Sequence, residues 1–300
     1  MIELNNMSTE KINPKTGDLD IMTIQEALLV MNEEDATVPQ AIKKVIPQIE
    51  EAVKLVIKAF KNGGRLIYVG AGTSGRLGVL DAAECPPTFG TDPSKVVGLI
   101  AGGEKAFLQA VEGAEDSKTL AEEELKQIKL APIDIVIGIA ASGRTPYVIG
   151  ALNYAREVGC KTIGIACNSN SMVGASADIA IEAIVGPEVL TGSTRLKAGT
   201  AQKLILNMIS TISMVGIGKV YKNLMVDVQM SNDKLVSRAV KIVTEITKAD
   251  EKTAYAYLKK YNSVKYAIFG IMARIDDKDQ IEKILSKHNG NIRESLKVIQ

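Results

Sequence analysis

The spacing of apolar residues changes along the chain from helical to strand-like and then back to helical. Helical spacing runs through Ile24, Leu28 and Met31 and then from Val38 to Phe60. Short, uninterrupted apolar runs, typical of strands buried on both faces, follow over 65–69, 134–139, 161–166 and 178–185. Helices are predicted between them, over 76–84, where Cys85-Pro86-Pro87 is expected to end the helix, and over 147–158. The first ~20 residues are polar and are expected to form an arm rather than a core element.

Apolar strands that alternate with helices predict a parallel sheet covered on both faces. The expected fold class is therefore α/β, a doubly wound parallel sheet followed by a small C-terminal all-helical domain. The helices of that domain are expected over 235–247, 251–261, 264–275 and 280–299. The predicted domains are an N-terminal arm and helix over 1–39, the α/β domain over 40–231 and the helical domain over 232–300.

The charge balance excludes some classes of partner. With 36 Lys and Arg against 35 Asp and Glu, the net charge is +1. This balance argues against a nucleic-acid-binding protein, which usually carries a basic excess, and gives no reason to expect binding to a membrane surface. The apolar fraction of 46% and charged fraction of 24% are those of an ordinary soluble globular protein.

The cysteines and the N-terminus bear on the cellular compartment. Cys85, Cys160 and Cys167 are odd in number and lack CxxC spacing, which argues against a disulfide framework or a zinc site and favours a reducing compartment. Residues 1–10 show no signal-peptide pattern, and the longest uncharged stretch, between Lys203 and Lys219, contains several polar residues. We therefore expect a cytoplasmic protein, with no membrane segment and no metal.

Two loops rich in glycine and hydroxyl side chains follow predicted strands, and each contains Ser-Gly-Arg. In an open α/β sheet, ligands bind outside the carboxyl ends of the strands, and helix N-termini hold anions. The residues expected to bind a phosphate ester are Thr73, Ser74, Gly75, Ser142, Gly143 and Thr145. The alternative for each loop is a tight turn whose serine caps the next helix. Because a ribose-binding acidic residue and a GxxxxGK[ST] motif are both missing, the ligand is expected to be a small phosphate ester rather than a nucleotide.

Acid–base chemistry falls to carboxylates, because the single histidine, His288, lies in the helical tail and Cys85 has no histidine partner. Glu84 ends an apolar helix, and Glu115 follows Gly113 at the start of another element. Burial near a ligand would raise the pKa of such a carboxyl and suit it to general acid catalysis. The equally weighted alternative is that Glu84 is a solvated helix end and Glu115 favours a helix dipole.

A third possible anion-binding turn contains Glu188, a hydroxyl cluster and Lys197, just before a helix predicted from Ala198. The alternative is a capped loop that carries surface charges.

Five stretches of the chain resemble the N-acetylmuramic acid 6-phosphate etherase family, whose members contain the SIS (sugar isomerase) phosphosugar-binding domain. They are 70–78 (GAGTSGRLG), 83–90 (AECPPTFG), 112–116 (EGAED), 192–200 (GSTRLKAGT) and 223–227 (NLMVD). The loop at 140–145 also resembles the Ser-Gly-x-Thr loop of SIS domains. The resemblance covers nearly the whole chain.

The resemblance implies a carbon–oxygen lyase that cleaves the D-lactyl ether of N-acetylmuramic acid 6-phosphate in cell-wall sugar recycling. It also implies a homodimer without metal or organic cofactor, with active-site glutamates at Glu84 and Glu115. We assign Glu84 as the acid toward lactate and Glu115 as the base at C2, although the reverse is conceivable. We further expect Arg76 or Lys197 to pair with the lactyl carboxylate or with the phosphate. A non-catalytic sugar-phosphate sensor like the glucokinase regulatory protein and a phosphosugar isomerase remain alternatives.

Overall fold

A computed structural model describes residues 7–109, 111–228, 230 and 232–299. The described residues divide into two compact units. The first comprises the residues up to Ala83 together with Ser94–Ser210, and the second comprises Glu84–Pro93 and the residues from Thr211 onward. Residues 1–6 of the predicted arm and Ser231, the last residue of the predicted α/β domain, lie outside the described residues. The predicted domain limits stay a prediction.

The first unit is built on a parallel sheet. In the described part of the chain its strands are β1 (Leu66–Gly70), β2 (Val96–Ile100), β3 (Ile135–Ile139), β4 (Lys161–Ala166) and β5 (Ile179–Glu182), in the order β2-β1-β3-β4-β5. Every pairing is parallel, as the apolar runs predicted. Strand β2 was not predicted; it lies at one edge of the sheet, and three of its five residues are only partly buried.

Helices cover both faces of the sheet, which confirms the doubly wound α/β class. The helices described from the start of the chain to α9 are α1 (Ile24–Asp35), α2 (Val38–Lys43), α3 (Ile46–Lys61), α4 (Gly72–Phe89), α5 (Lys105–Leu108), α6 (Leu120–Gln127), α7 (Pro146–Val158), α8 (Met172–Ala175) and α9 (Lys197–Gly216), and α4 and α9 continue into the second unit. Ile67 and Val69 face α7 in one apolar core. Tyr68 points to the other face, where α4 passes so close that a Cβ on Gly78 would lie 2.8 Å from the Tyr68 Cβ.

Two helix boundaries differ from the sequence-based prediction because of proline. The predicted helix from Val38 to Phe60 is two helices, since Pro47 lacks an N–H and fits only in the first turn of α3. Conversely, α4 does not end at Cys85 but runs through Pro86 and Pro87 to Phe89. The fixed φ of proline is itself helical, so the helix continues there despite the lost backbone donors.

Most described residues of the N-terminal segment are exposed or partly buried, but three of them are buried, so the expectation of a segment that contributes nothing to the core was wrong at these positions. Met7, Thr9 and Asn13 are exposed by only 4%, 0% and 2%. The polar side chains are buried with partners: Thr9 bonds Asn168, and Asn13 bonds Glu34. The polar sequence predicted exposure here. The prediction failed because the hydrogen-bond partners that allow these side chains to be buried are distant in sequence and cannot be read from the local pattern.

The second unit contains a hairpin and helices. The hairpin strands are β6 (Val220–Tyr221) and β7 (Leu224–Met225), and the helices are α10 (Asp233–Thr247), α11 (Glu251–Tyr261), α12 (Val264–Ala273), α13 (Lys278–Lys287) and α14 (Ile292–Lys297). Side chains of Asn232, Asp250, Ser263, Asp277 and Asn291 cap the five helices by accepting backbone N–H groups. The predicted stretch 280–299 is divided at Asn289 and Gly290, which both have positive φ. Among the described helices, none has the length and apolar character needed to cross a membrane.

Candidate active site

The two predicted loops lie side by side. Strands β1 and β3 are neighbours, and Gly70 at the end of one is in register with Ile139 at the end of the other. Because the strands are parallel, the segments that follow them emerge at the same edge of the sheet. That edge is where ligands of open α/β sheets bind.

The first loop is shorter than predicted, because α4 begins at Gly72 and takes Thr73, Ser74 and Gly75 into its first turn. Gly75 approaches the strand end so closely that an added Cβ would lie 2.6 Å from the Gly70 carbonyl oxygen. Ser74 is buried, and its hydroxyl donates to Gln202 Oε1 at 2.9 Å instead of capping the helix. The Gly75 N–H already donates to the Ala71 carbonyl at 3.2 Å, whereas the N–H groups before it, those of Thr73 and Ser74, belong to the part of a first helical turn that lacks an acceptor within the helix and can serve an anion.

The second loop, over 140–145, is held against the rest of the sheet. Gly143 has φ +73°, and a Cβ there would lie 2.4 Å from the Ser171 Cβ, so a larger residue does not fit. The Ser142 Oγ accepts the Arg144 N–H at 3.3 Å. Thr145 is the N-cap residue of α7, yet its side chain makes no capping hydrogen bond. The alternative in which serines cap the helices is therefore not what the structure has, since Ser74 bonds Gln202 and Ser142 bonds a residue before α7 begins.

Glu115 shares a cleft with the first loop. The cleft has a volume of about 180 Å³ and is lined by Ala71, Gly72, Arg76, Ala101, Ala106, Val111, Glu112 and Glu115. Glu115 lies in a short 3₁₀ helix, Ala114–Asp116, that follows the left-handed Gly113, and its side chain is exposed. The Arg76 Nε donates to the Phe107 carbonyl at 2.9 Å, which fixes the side chain at the cleft. A carboxylate, a guanidinium and the start of a helix thus meet in one place.

Glu84 belongs to the second unit, whereas Glu115 belongs to the first. Glu84 is exposed on α4, a few residues before Gly90 ends that helix with φ +59°. A Cβ on Gly90 would lie 2.2 Å from the Asp227 carbonyl oxygen, so this segment packs tightly against the segment after β7. Asp227 is in turn paired with Lys265 at 2.7 Å. Within its own unit, the segment that carries Glu84 is therefore firmly held.

The third predicted turn binds the chain's own carboxylate. Glu188 is fully buried, and its two carboxylate oxygens accept the backbone N–H groups of Lys197 and Ala198 at the start of α9. The Lys197 ammonium is also buried and lies 2.6 Å from Glu34 Oε2. The start of α9 is thus already occupied by Glu188, so it is not a site for an external anion. The alternative, a capped loop with surface charges, was right about the cap but wrong about the charges of Glu188 and Lys197, which are buried. The ammonium of Lys197 is already paired with a carboxylate of the protein.

Two residues at this edge were missed by the sequence analysis. Gln202 receives the Ser74 hydroxyl and so ties α4 to α9, and Asn168 lies just beyond the end of β4. Asn168 belongs to the polar run 168–171, which begins two residues after the predicted strand 161–166 ends, so its position at a strand end is visible in the sequence. Nothing local signals Gln202, because its partner is 128 residues away in sequence.

The cysteines do not offer a nucleophile to the site. Cys85, Cys160 and Cys167 are all buried. Burial raises the pKa of the Cys160 and Cys167 thiols to about 12, so both are protonated at neutral pH.

Comparison with known proteins agrees with this architecture. The family model described as the SIS domain matches residues 119–212, the model of the glucokinase regulatory protein N-terminal SIS domain matches 48–156, and the model of the C-terminal lid domain of that protein matches 222–290. The fold is similar to that of phosphoheptose isomerase from Neisseria gonorrhoeae, with a TM-score of 0.51 and 19% identity, over 64% of this chain and 98% of that one. The parallel sheet, the two loops and the matches to the SIS family models together define a SIS-domain protein.

Sequence relatives make the family more specific. The N-acetylmuramic acid 6-phosphate etherase of Listeria monocytogenes serotype 4b (strain CLIP80459) is 62% identical, and the alignment covers 98% of this chain and 99% of that one. The protein of the same name from Exiguobacterium sp. is 56% identical, over 98% and 100% of the two chains. The chain belongs to the N-acetylmuramic acid 6-phosphate etherase family, as the sequence motifs indicated.

Proposed function

We propose that this protein hydrolyses the D-lactyl ether of N-acetylmuramic acid 6-phosphate to N-acetylglucosamine 6-phosphate and D-lactate, a step in cell-wall sugar recycling. The observation that carries the proposal is the cleft in which Glu115 and Arg76 meet the start of α4. The identity of 62% with an etherase over nearly the full chain supports it. That level of identity favours the etherase over a sugar-phosphate sensor or an isomerase.

The phosphate of the substrate would bind at the adjacent ends of β1 and β3. Thr73, Ser74 and Gly75 supply the first turn of α4, and Ser142, Gly143 and Thr145 supply the neighbouring loop. The N–H groups of Gly75 and Gly143 already donate to the carbonyls of Ala71 and Ala140, so these two glycines serve by letting the backbone approach the ligand. The hydroxyls and the other N–H groups of the two segments are of the kind suited to phosphate oxygens. Ser74 contributes mainly by fixing the turn, since its own hydrogen is donated to Gln202.

The chemistry requires one base and one acid. Opening of the sugar ring exposes an aldehyde at C1, which makes the C2 proton acidic. A carboxylate removes that proton while a carboxylic acid protonates the C3 ether oxygen, so that the C3–O bond breaks, a C2–C3 double bond forms and lactate leaves. Water then adds at C3, giving a proton to the former acid, and the former base returns its proton to C2. Both carboxyl groups end in their starting states.

Glu115 is assigned as the base at C2 and Glu84 as the acid toward lactate. Glu115 is supported by its position in the cleft with Arg76. Glu84 is carried over from the etherase-family motif at 83–90. The carboxylate of the lactyl group is assigned to Arg76, because the ammonium of Lys197 already binds Glu34.

The protein is also proposed to be a homodimer. Large apolar side chains are exposed on α1 and before it, among them Ile21, Ile24 and Leu28, with exposures of 78%, 82% and 61%. Such exposure is typical of a surface that a partner covers, and most soluble oligomers are symmetric dimers. Sedimentation should give twice the chain mass, and Ile24→Glu with Leu28→Glu should reduce it to the chain mass. A cytoplasmic location is proposed from the three buried thiols, which suit a reducing compartment.

Release of free lactate from N-acetylmuramic acid 6-phosphate by the purified protein tests the function. Wild type should release lactate, whereas Glu84→Gln and Glu115→Gln should each be slower by about 10²- to 10⁴-fold, the usual contribution of an acid or base. Binding of the substrate should persist in both variants. Glu123→Gln, at an exposed position of α6, is the matched control and should retain activity. Binding without lactate in the wild type would indicate a sensor, and new sugar products without lactate an isomerase.

A further inference from the structure

Asn168 joins the second loop to the N-terminal segment. It lies two residues beyond the end of β4 and is 6% exposed. Its Nδ2 donates to the carbonyls of Ala141 at 3.3 Å and Ser142 at 3.5 Å, both in the loop that carries the expected phosphate ligands. The same nitrogen donates to Thr9 Oγ1 at 2.9 Å. One buried amide therefore holds two parts of the chain that are more than 130 residues apart in sequence.

The N-terminal segment holds that amide in place. The Ser8 hydroxyl donates to Asn168 Oδ1 at 2.8 Å, and the Thr9 backbone N–H donates to the same oxygen at 3.4 Å. Thr9 is fully buried. Hydrogen bonds from the N-terminal segment to Oδ1 thus orient the Asn168 side chain. Through its Nδ2, that side chain in turn orients the carbonyl groups of the loop.

Holding the loop carbonyls fixes the direction of the loop N–H groups. A trans peptide is planar, so the N–H of Ser142 points opposite to the carbonyl of Ala141. Because that carbonyl accepts from Asn168 and from the Cys167 N–H at 3.0 Å, the Ser142 N–H points away from Asn168. An oxyanion site gains most when its donors are already oriented before the ligand arrives.

We propose that Asn168 and Thr9 are positioning residues that orient the Ser142–Gly143 loop for the phosphate group of the substrate, so that the N-terminal segment is a working part of the site. This inference rests on the proposed function in one respect only, that a sugar phosphate binds at the loop. Neither residue contacts the substrate; each acts through the loop backbone.

Affinity for the phosphate group, measured by calorimetry, tests the proposal. The probes are N-acetylglucosamine 6-phosphate and N-acetylglucosamine without phosphate. Thr9→Val removes the acceptor oxygen with little change of shape, and Asn168→Asp removes the donor nitrogen. Each should weaken binding of the phosphorylated sugar about fivefold to tenfold, the effect of losing about one net hydrogen bond. Binding of the unphosphorylated sugar should not change.

Two further variants separate positioning from general damage. Thr9→Ser keeps the hydroxyl and should restore wild-type affinity, and Asn153→Asp, at an exposed position of α7, should bind both sugars normally. Because Thr9→Val introduces no charge, its effect cannot come from repulsion of the phosphate. Unchanged affinity in Thr9→Val, or an equal loss for both sugars, would overturn the inference. If the wild type binds the sugar phosphate but releases no lactate, the proposed function fails and this measurement remains decisive.

Discussion

The ammonium nitrogen of Lys197 lies 2.6 Å from Oε2 of Glu34, and both side chains are almost completely buried. The same glutamate accepts a hydrogen bond from Asn13 Nδ2 at 2.9 Å and pairs with Lys15 at 3.0 Å. The pair therefore connects the end of α1, the N-terminal segment and the start of α9. Since α9 also carries Gln202, the partner of Ser74, this buried pair contributes to the geometry of the candidate site.

Breaking the pair on one side should destabilise the protein strongly. Glu34→Ala would leave the Lys197 ammonium buried without its carboxylate, and loss of one partner of a buried ion pair typically costs about 3 to 5 kcal/mol. Urea unfolding of the two proteins measures the difference. Glu33→Ala, at the exposed neighbouring position, is the control and should change the free energy of unfolding by less than about 0.5 kcal/mol. Equal effects of the two substitutions would contradict this account of the pair.

The pair should also make stability depend on pH. Burial by itself would raise the pKa of Glu34, but hydrogen bonds from Lys197, Lys15 and Asn13 outweigh it and lower that pKa from 4.5 to about 2. A lowered carboxyl pKa in the folded state stabilises the fold above pH 4.5, and this stabilisation is lost as the pH falls from there toward 2. The difference in unfolding free energy between wild type and Glu34→Gln should therefore shrink between pH 6 and pH 3. A difference that stays constant over this range would show that Glu34 is not held as its contacts indicate.

Gly75 should not accept a side chain. A Cβ there would lie 2.6 Å from the Gly70 carbonyl oxygen and 2.7 Å from the Ile100 side chain, so α4 would have to move away from β1. We expect Gly75→Ala to lower the free energy of unfolding by about 1 to 3 kcal/mol and to impair substrate binding. Gly17→Ala, where a Cβ meets nothing within 4 Å, should have neither effect. Thermal denaturation and KM of both variants provide the comparison, and a Gly75→Ala protein that behaves like wild type would refute the close approach.

Arg76 should contribute to binding of the substrate rather than to stability. It lines the same cleft as Glu115, where a guanidinium can pair with the lactyl carboxylate. Arg76→Gln should raise KM for N-acetylmuramic acid 6-phosphate at least tenfold, about the effect of one charged hydrogen bond, while the affinity for the lactate-free product changes little. Arg156→Gln, at an exposed position of α7, is the control. An equal loss of affinity for substrate and product would assign Arg76 to the phosphate instead.

The central strands could be predicted from sequence because they are buried on both faces, and the apolar runs at β1, β3 and β4 stand out for that reason. Burial does not separate the two edge strands, since β5, which was predicted, has one buried residue of four, and β2, which was not, has two of five. The rule that proline ends a helix was applied wrongly in two ways. Pro47 divides a helix that was predicted to be continuous, whereas Pro86 and Pro87 do not end the helix that was predicted to stop there. A local rule gives the tendency of a proline, and the surrounding packing decides whether the helix continues.

The site could be predicted only where it is built from strand ends. The neighbouring positions of the loops after β1 and β3 follow from the rule that parallel strands end at one edge. The position of Glu115 beside the first loop does not follow from that rule, because Glu115 lies in a short 3₁₀ helix, and only the family resemblance pointed to it. The bonds that hold those loops do not follow. Ser74 to Gln202 and Thr9 to Asn168 join residues 128 and 159 positions apart, and no local pattern specifies such partners.

Isotope incorporation during the reaction tests the central claim most directly. In heavy-isotope water, elimination and readdition through two carboxyl groups should place solvent deuterium at C2 and solvent ¹⁸O at C3 of the N-acetylglucosamine 6-phosphate. The lactate should keep the unlabelled ether oxygen. Because the Glu115 carboxyl is exposed, the proton that it removes should exchange with solvent at least in part before one returns to C2, and Glu115→Gln should slow the appearance of both labels together with the release of lactate. Lactate that carries ¹⁸O, or a sugar product without ¹⁸O at C3, would contradict the account.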